Sequence, residues 1–70
     1  TNPTAHRMLA AAYYKQGKLP QADAETAQAH FLEGNVKQAQ IFAKRAQSKL
    51  AKGSPEWLRN DDIINYKPET

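Results

Sequence analysis

The sequence predicts an all-α fold in which an antiparallel array of three helices is followed by a short fourth helix. A motif occurs twice, over residues 14–22 and 31–39, with an aromatic residue three positions before a glycine and an alanine five positions after it. Between these motifs, apolar residues recur at the spacing of a helix face. The middle helix also carries small residues on two opposite faces, which suits a helix with a neighbour on each side.

The first helix is predicted to span about residues 4–16. Thr4 is a suitable N-cap after Pro3, and Gly17 supplies the left-handed conformation that ends many helices. An apolar stripe follows helical spacing and consists of Ala5, Met8, Leu9, Ala12 and Tyr13. Ala10 and Tyr14 point away from this stripe. We expect their face to pack on a preceding repeat in a longer array, and Tyr14 to be partly exposed here.

The second helix is predicted to span about residues 20–33, with Pro20 in its first turn and Gly34 at its end. Small and aromatic residues occupy both of its sides, with Ala24, Ala27 and Phe31 on one side and Ala22 and Ala29 nearly opposite. Such a helix can lie close to two neighbours. We therefore interpret it as the middle helix of the array; an alanine-rich helix selected only for helix propensity is the alternative.

The third helix is predicted to span about residues 36–51, after the capping residue Asn35, and to end at Gly53. Its packing face consists of Val36, Ala39, Ala43, Ala46 and Leu50. Residues 1–53 thus form the helical repeats, and residues 54–70 form a terminal segment.

The terminal segment begins with a helix-start signal, Ser54-Pro55-Glu56, which predicts a short helix over about residues 55–60. The residues after it lack helical spacing, so an extended tail is expected. Helical arrays need a last element that covers the final apolar face. We expect Trp57, Leu58 and Ile63 to form this cap against Ile41 and Phe42. The alternative is an exposed Trp57 that anchors a partner.

The chain has a net charge of +3 and a pI near 9.4, and its third helix carries a basic stripe of Lys37, Lys44, Arg45, Lys49 and Lys52. These features allow a nucleic-acid-binding domain. However, no aromatic residue is interleaved with the stripe for base stacking, and no nucleic-acid motif accompanies it. A solvated helix face is the favoured interpretation.

The sequence contains no catalytic or metal-binding motif. His6 and His30 stand on different helices without metal-ligand spacing, and there is no cysteine. A nucleophile motif and a glycine-rich phosphate loop are also absent from the sequence. We therefore predict no catalytic residue, metal site or cofactor in this chain.

The helices resemble those of tetratricopeptide (TPR) repeats. The resemblance rests on Leu9, Ala12, Tyr13 and Gly17 in the first helix, followed by Ala29, Phe31, Gly34, Asn35, Ala39, Ala43 and Ala46. It implies a TPR-like antiparallel array of about one and a half repeats that binds other proteins. Repeat-forming or capping roles fall on Gly17, Ala22, Gly34, Ala39, Ala46, Trp57, Leu58 and Ile63.

A narrower resemblance covers residues 43–63, whose most specific part is Gly-Ser-Pro-Glu-Trp-Leu-Arg-Asn-Asp-Asp-Ile at 53–63. This stretch is similar to the closing segment of the BepA/HtpX-like family of TPR-containing zinc metalloproteases. The family implies a periplasmic parent protein in envelope protein quality control, with zinc in an upstream catalytic domain and a tail that recruits substrates or partners. The chain begins at Thr1 without methionine or signal peptide, and we expect it to be a fragment of such a protein.

Two alternatives to this function stay open: a TPR-like adaptor from an unrelated protein and a basic helical nucleic-acid-binding domain. For a module that binds a protein or peptide, the candidate contact residues are Tyr13, Gln28 and His30. No small-molecule substrate and no insertion into a membrane are expected.

Overall fold

The structure, a computed structural model, describes residues 2–68 and contains four helices in that range. They are α1 (Pro3–Lys15), α2 (Leu19–Leu32), α3 (Val36–Gln47) and α4 (Pro55–Ile64). No strand occurs in these residues, so the predicted all-α fold is confirmed. Thr1 and the last two residues of the predicted tail lie outside the described residues.

Helix α2 lies between α1 and α3, as predicted, and α4 packs against α3 and also contacts α2. Arg7 near the start of α1 contacts Glu33 just after α2 at 2.7 Å, whereas Tyr14 near the end of α1 contacts Asp23 near the start of α2 at 2.9 Å. These two pairs show that α1 and α2 are antiparallel. Arg45, late in α3, also contacts Asp23, so α2 and α3 are antiparallel too.

The buried apolar core of the described residues consists almost entirely of alanine. Only Ile63 among its members has a large side chain, and the others are Ala10, Ala22, Ala27, Ala29, Ala39, Ala43 and Ala46. A methyl group holds facing helices near the short end of the usual interaxial range of about 8–10 Å. The alanines on both faces of α2 therefore bring α1 and α3 close to it.

The helix ends follow the predicted turns with small shifts. Asn2, and not Thr4, is the N-cap of α1, because its side chain accepts a hydrogen bond from the Thr4 N–H at 2.8 Å. Gly17 and Gly34 have φ angles of 73° and 82°, which confirms the left-handed conformation predicted for Gly17 and shows the same conformation at Gly34. Helix α3 ends at Gln47 instead of near residue 51. After Gln47 the backbone hydrogen bonds change to an i→i−3 pattern.

The orientation predicted for α1 is wrong. Ala10 is 4% exposed and packs toward α2, as does Tyr14, whereas Met8 and Leu9 of the predicted apolar stripe are 68% and 48% exposed. The small Ala10 side chain allows close contact with α2, and Tyr14 reaches the buried carboxylate of Asp23. Tyr14 is itself partly exposed, as expected.

Helix α4 is longer than predicted and leaves little extended tail. It starts where expected, because the Ser54 hydroxyl accepts a hydrogen bond from the Trp57 N–H at 3.2 Å, but it continues to Ile64. Asn60 and Ile63 are buried and lie three residues apart, which is helical spacing. The segment that lacked an evident apolar period thus has a short inward face.

The predicted cap is confirmed in part. Ile63 is 3% exposed and joins the core cluster, against which Phe42 packs. Trp57 is only half-buried. The predictions for Leu58 and Ile41 are wrong, since these side chains are 50% and 52% exposed. They project from the outer faces of α4 and α3, because the inner faces are already filled by alanine and Ile63.

Candidate functional site

A groove of about 280 Å³ lies above α2, between α1 and α4. It exists because both of these helices contact α2 while, among the described residues, they do not pack against each other. We call it the α2 groove. It is lined by His6 and Tyr13 of α1, Gln21, Ala24, Glu25 and Gln28 of α2, Leu50 of the following turn, and Glu56, Arg59 and Asn60 of α4.

Polar groups of both charge signs line the α2 groove. On the α1 side, His6 Nδ1 lies 2.6 Å from Glu25 Oε1, and both side chains are mostly buried. On the α4 side, Glu56 and Arg59 are exposed. The groove thus offers hydrogen-bond donors and acceptors on facing walls, which suits the polar backbone of an extended peptide.

Asn60 places a buried polar group in the α4 wall of the groove. The side chain is 1% exposed, and its amide donates a hydrogen bond to the Glu56 carbonyl at 2.7 Å. Its Oδ1 atom is buried and has no hydrogen-bond partner. An unpaired acceptor of this kind costs about 1–3 kcal/mol, so a donor that reached it would stabilise the protein.

A second, more open pocket of about 350 Å³ continues the groove along α2 and α4. Gln28 and Arg59 line both pockets, so the two share a boundary. In the second pocket the rings of Phe31 and Tyr66 meet edge to face, with centroids 5.0 Å apart. The combined surface is therefore polar at one end and partly aromatic at the other.

The structure brings together two of the three predicted contact residues. Tyr13 and Gln28 both line the α2 groove. His30 does not, because two residues along a helix turn its side chain about 200° away from Gln28. Its ring stacks instead on Phe42 of α3, with centroids 5.5 Å apart, and its Nδ1 atom is buried without a hydrogen-bond partner. His30 is thus an interface residue between α2 and α3.

Sequence reasoning missed His6, Glu25, Arg59 and Asn60 as groove residues. The sequence of α2 contains a signal for the groove floor. Residues 21, 24, 25 and 28 have the spacing i, i+3, i+4 and i+7 and so lie on one face of the helix, and three of the four are polar. A polar stripe on a helix that packs on both sides marks the face that neither neighbour covers. No such pattern distinguished the α4 wall: its residues lie within the predicted short helix, but the sequence does not show how that helix docks on α2.

A separate polar cluster joins α1, α2 and α3 around Asp23, which is 6% exposed. The Tyr14 hydroxyl donates a hydrogen bond to Asp23 Oδ1 at 2.9 Å, and an Arg45 guanidinium nitrogen lies 3.4 Å from the same atom. Burial raises the pKa of Tyr14, and the hydrogen bond to Asp23 raises it further. Because its polar groups pair with one another, we interpret this cluster as structural.

The described residues 2–68 contain neither a metal-ligand group nor a helix that could span a membrane. In that range, no three His, Cys, Asp or Glu residues are grouped as ligands for a metal ion. No described helix combines the length and the apolar character that crossing a bilayer requires.

Comparisons of the chain with protein-family models, curated proteins and solved structures found no match.

Proposed function

We propose that this chain is a non-catalytic module that binds an extended segment of another protein in the α2 groove. The observation that carries the proposal is the groove itself, which has a half-buried polar floor that includes Glu25 of α2, and a wall on α4 that carries Glu56 and Arg59. Extended peptides carry a donor and an acceptor at each residue. A groove that presents Gln28 beside Glu25 and Arg59 can form hydrogen bonds with both the N–H and the carbonyl groups of a peptide.

The resemblance of residues 43–63 to the closing segment of TPR-containing zinc metalloproteases supports a more specific proposal. In this proposal the chain is the C-terminal part of a periplasmic zinc metalloprotease and recruits its substrates or partners during envelope protein quality control. Catalysis and the zinc ion belong to an upstream domain. A His-Glu-x-x-His motif upstream in the parent gene would support this context, whereas its absence would favour a TPR-like adaptor of another kind.

Selection of peptides on the immobilised chain, followed by affinity measurements, tests the binding site. We expect Gln28→Ala and Tyr13→Ala to weaken a selected peptide about tenfold each, because each removes a contact on the floor or wall of the groove. Gln38→Ala is the matched control, since Gln38 is an exposed glutamine on α3. We expect it to leave the affinity unchanged.

The site would be wrong if selected peptides bound all three variants equally well. In that case, chemical-shift changes in an NMR titration would show which other surface is used. Selection that yields no peptide at all would contradict the proposed function as a whole.

A further inference from the structure

Helix α3 and the turn after it carry a concentrated positive charge. Residues 36–53 contain five basic residues and no acidic one, so the rest of the chain has a net charge of −2. The five basic residues are exposed, and we call them the basic stripe: Lys37, Lys44, Arg45, Lys49 and Lys52. The excess positive charge of the protein therefore lies on α3 and the turn after it, with Lys37 and Lys44 on the side of α3 opposite its alanine face.

The lysines of the stripe are available for a partner. Within residues 2–68, every ion pair uses His6, Arg7 or Arg45, and none uses a lysine. Arg45 differs from the others, because it contacts Asp23 at 3.4 Å and lies 5.1 Å from the centre of the Phe42 ring. The four lysine ammonium groups of the stripe are therefore the charges that can contact an external partner.

An apolar side chain lies in the middle of this charged surface. Ile41 is 52% exposed and lies one helical turn from Lys37 on one side and Lys44 on the other. Its exposure was unexpected, since the sequence predicted that α4 would cover it. An isoleucine surrounded by lysines combines apolar contact with positive charge.

We propose that the basic stripe binds the surface of an anionic lipid bilayer, with α3 parallel to the membrane plane. Lysines near such a surface are attracted to its charged headgroups, and Ile41 can enter the boundary with the acyl chains. Binding is peripheral and reversible. Lys37, Ile41 and Lys44 do not line the α2 groove, to which the turn after α3 contributes Leu50.

The geometry favours a lipid surface over a nucleic acid. Helix α3 packs against both α2 and α4, and the face that it leaves exposed carries no motif for reading bases. The stripe has lysine point charges, whereas bidentate recognition of phosphates or bases favours arginine. The aromatic ring that Arg45 of the stripe contacts, Phe42, packs against the core cluster and is unavailable for base stacking.

Cosedimentation with vesicles tests this proposal. The probe is phosphatidylcholine vesicles with and without one-third phosphatidylglycerol, at about 50 and 500 mM salt, where screening differs strongly. We expect binding only to the anionic vesicles at low salt. Lys44→Gln/Lys49→Gln should lower the partition coefficient about 25-fold, at about fivefold per lysine.

Lys15→Gln/Lys18→Gln is the matched control, because it removes the same charge from exposed positions outside the stripe. We expect it to lower the partition coefficient less than about threefold. Ile41→Gln keeps the charge and should also weaken binding. Circular dichroism establishes that each variant is folded.

Three results would overturn the proposal. Equal losses in the two lysine pairs would show attraction by net charge alone. No binding to anionic vesicles at low salt would remove the lipid surface as a partner. Tighter binding to duplex DNA than to vesicles at equal phosphate concentration would identify the stripe as a nucleic-acid surface. None of these results bears on peptide binding in the α2 groove.

Discussion

Tyr14 connects α1 to the only buried carboxylate among the described residues, that of Asp23. The sequence predicted the wrong packing side for this tyrosine, because the other face of α1 carries the larger apolar side chains of Met8 and Leu9. The structure shows that the Ala10 methyl group and the hydrogen-bonded Tyr14 hydroxyl face α2, whereas Met8 and Leu9 are exposed. A spacing pattern identifies helix faces, but it does not show which face meets a neighbour whose surface is alanine and aspartate.

The raised pKa of Tyr14 predicts a loss of stability at alkaline pH. In the unfolded chain the phenol ionises near its model value of 10.0, whereas the folded protein retains the proton to higher pH. The unfolded state therefore binds fewer protons above about pH 10, and the free energy of unfolding falls as the pH rises through the folded pKa. Below about pH 10 this contribution is fully present.

Tyr14→Phe removes this titration, so urea unfolding of both proteins at about pH 8 and pH 11 measures it. We expect the wild type to be more stable at pH 8, and the difference between the two proteins to become smaller at pH 11. A difference that stays constant or widens would show that the Tyr14 hydroxyl does not titrate as the structure implies.

At the level of helices, two glutamines of α3 hold α4 in place. Gln40 Nε2 lies 3.2, 3.3 and 3.1 Å from the carbonyl oxygens of Ile63, Ile64 and Tyr66, at the end of α4. Gln47 reaches the other part of the helix, where its amide donates to the Asp61 carboxylate at 3.0 Å. The last carbonyls of a helix have no partner within it, so Gln40 supplies hydrogen bonds that α4 cannot make itself.

Gln40→Ala should therefore loosen the end of α4. We expect a loss of about 1–2 kcal/mol in the free energy of unfolding and faster amide hydrogen exchange in the last turn of α4. Gln38→Ala, on the exposed side of the same helix, should change stability by less than about 0.5 kcal/mol. Equal exchange rates in the two variants would show that α4 does not depend on the Gln40 contacts.

These contacts also explain why the sequence predicted the start of α4 but not its length. Ser54 and Pro55 form a local signal that acts within one turn, and the structure confirms it. The extension to Ile64 depends on Gln40, which is more than twenty residues away in the sequence. Long-range hydrogen bonds of this kind leave no trace in local spacing.

Across the whole molecule, the large side chain of Ile63 has an exceptional role, because every other buried apolar residue in the described range is alanine. Replacing a buried isoleucine with alanine costs about 2–5 kcal/mol, and a chain of this size has only a few kcal/mol of stability in total. Ile63→Ala should leave the protein largely unfolded at room temperature, as measured by circular dichroism during heating.

Ile41→Ala is the matched control, because Ile41 is 52% exposed. We expect its melting temperature to stay within a few degrees of the wild type. Similar melting temperatures for the two alanine variants would show that Ile63 does not anchor the core.

The array and its central helix could be predicted because glycine and alanine spacing determines them locally. The α2 groove could be predicted only in part. Tyr13 and Gln28 were identified as polar or aromatic residues on free faces, whereas Arg59 and Asn60 required knowledge of how α4 docks. His30 was assigned to the wrong side, since its stacking on Phe42 depends on the packing of α3. Arg59 and Asn60 were missed because tertiary contacts place them, whereas Glu25 lies on the polar stripe that the sequence of α2 already contains.

The alanine interior has a consequence for how this protein tolerates sequence change. At its seven buried alanines, nearly every substitution adds atoms where the helices already touch, and the smaller glycine lowers helix propensity by about 1 kcal/mol. The large residues Met8, Leu9 and Leu58 are exposed and free of this constraint. Selection should therefore preserve the small buried side chains of this protein strictly, while these large exposed ones drift.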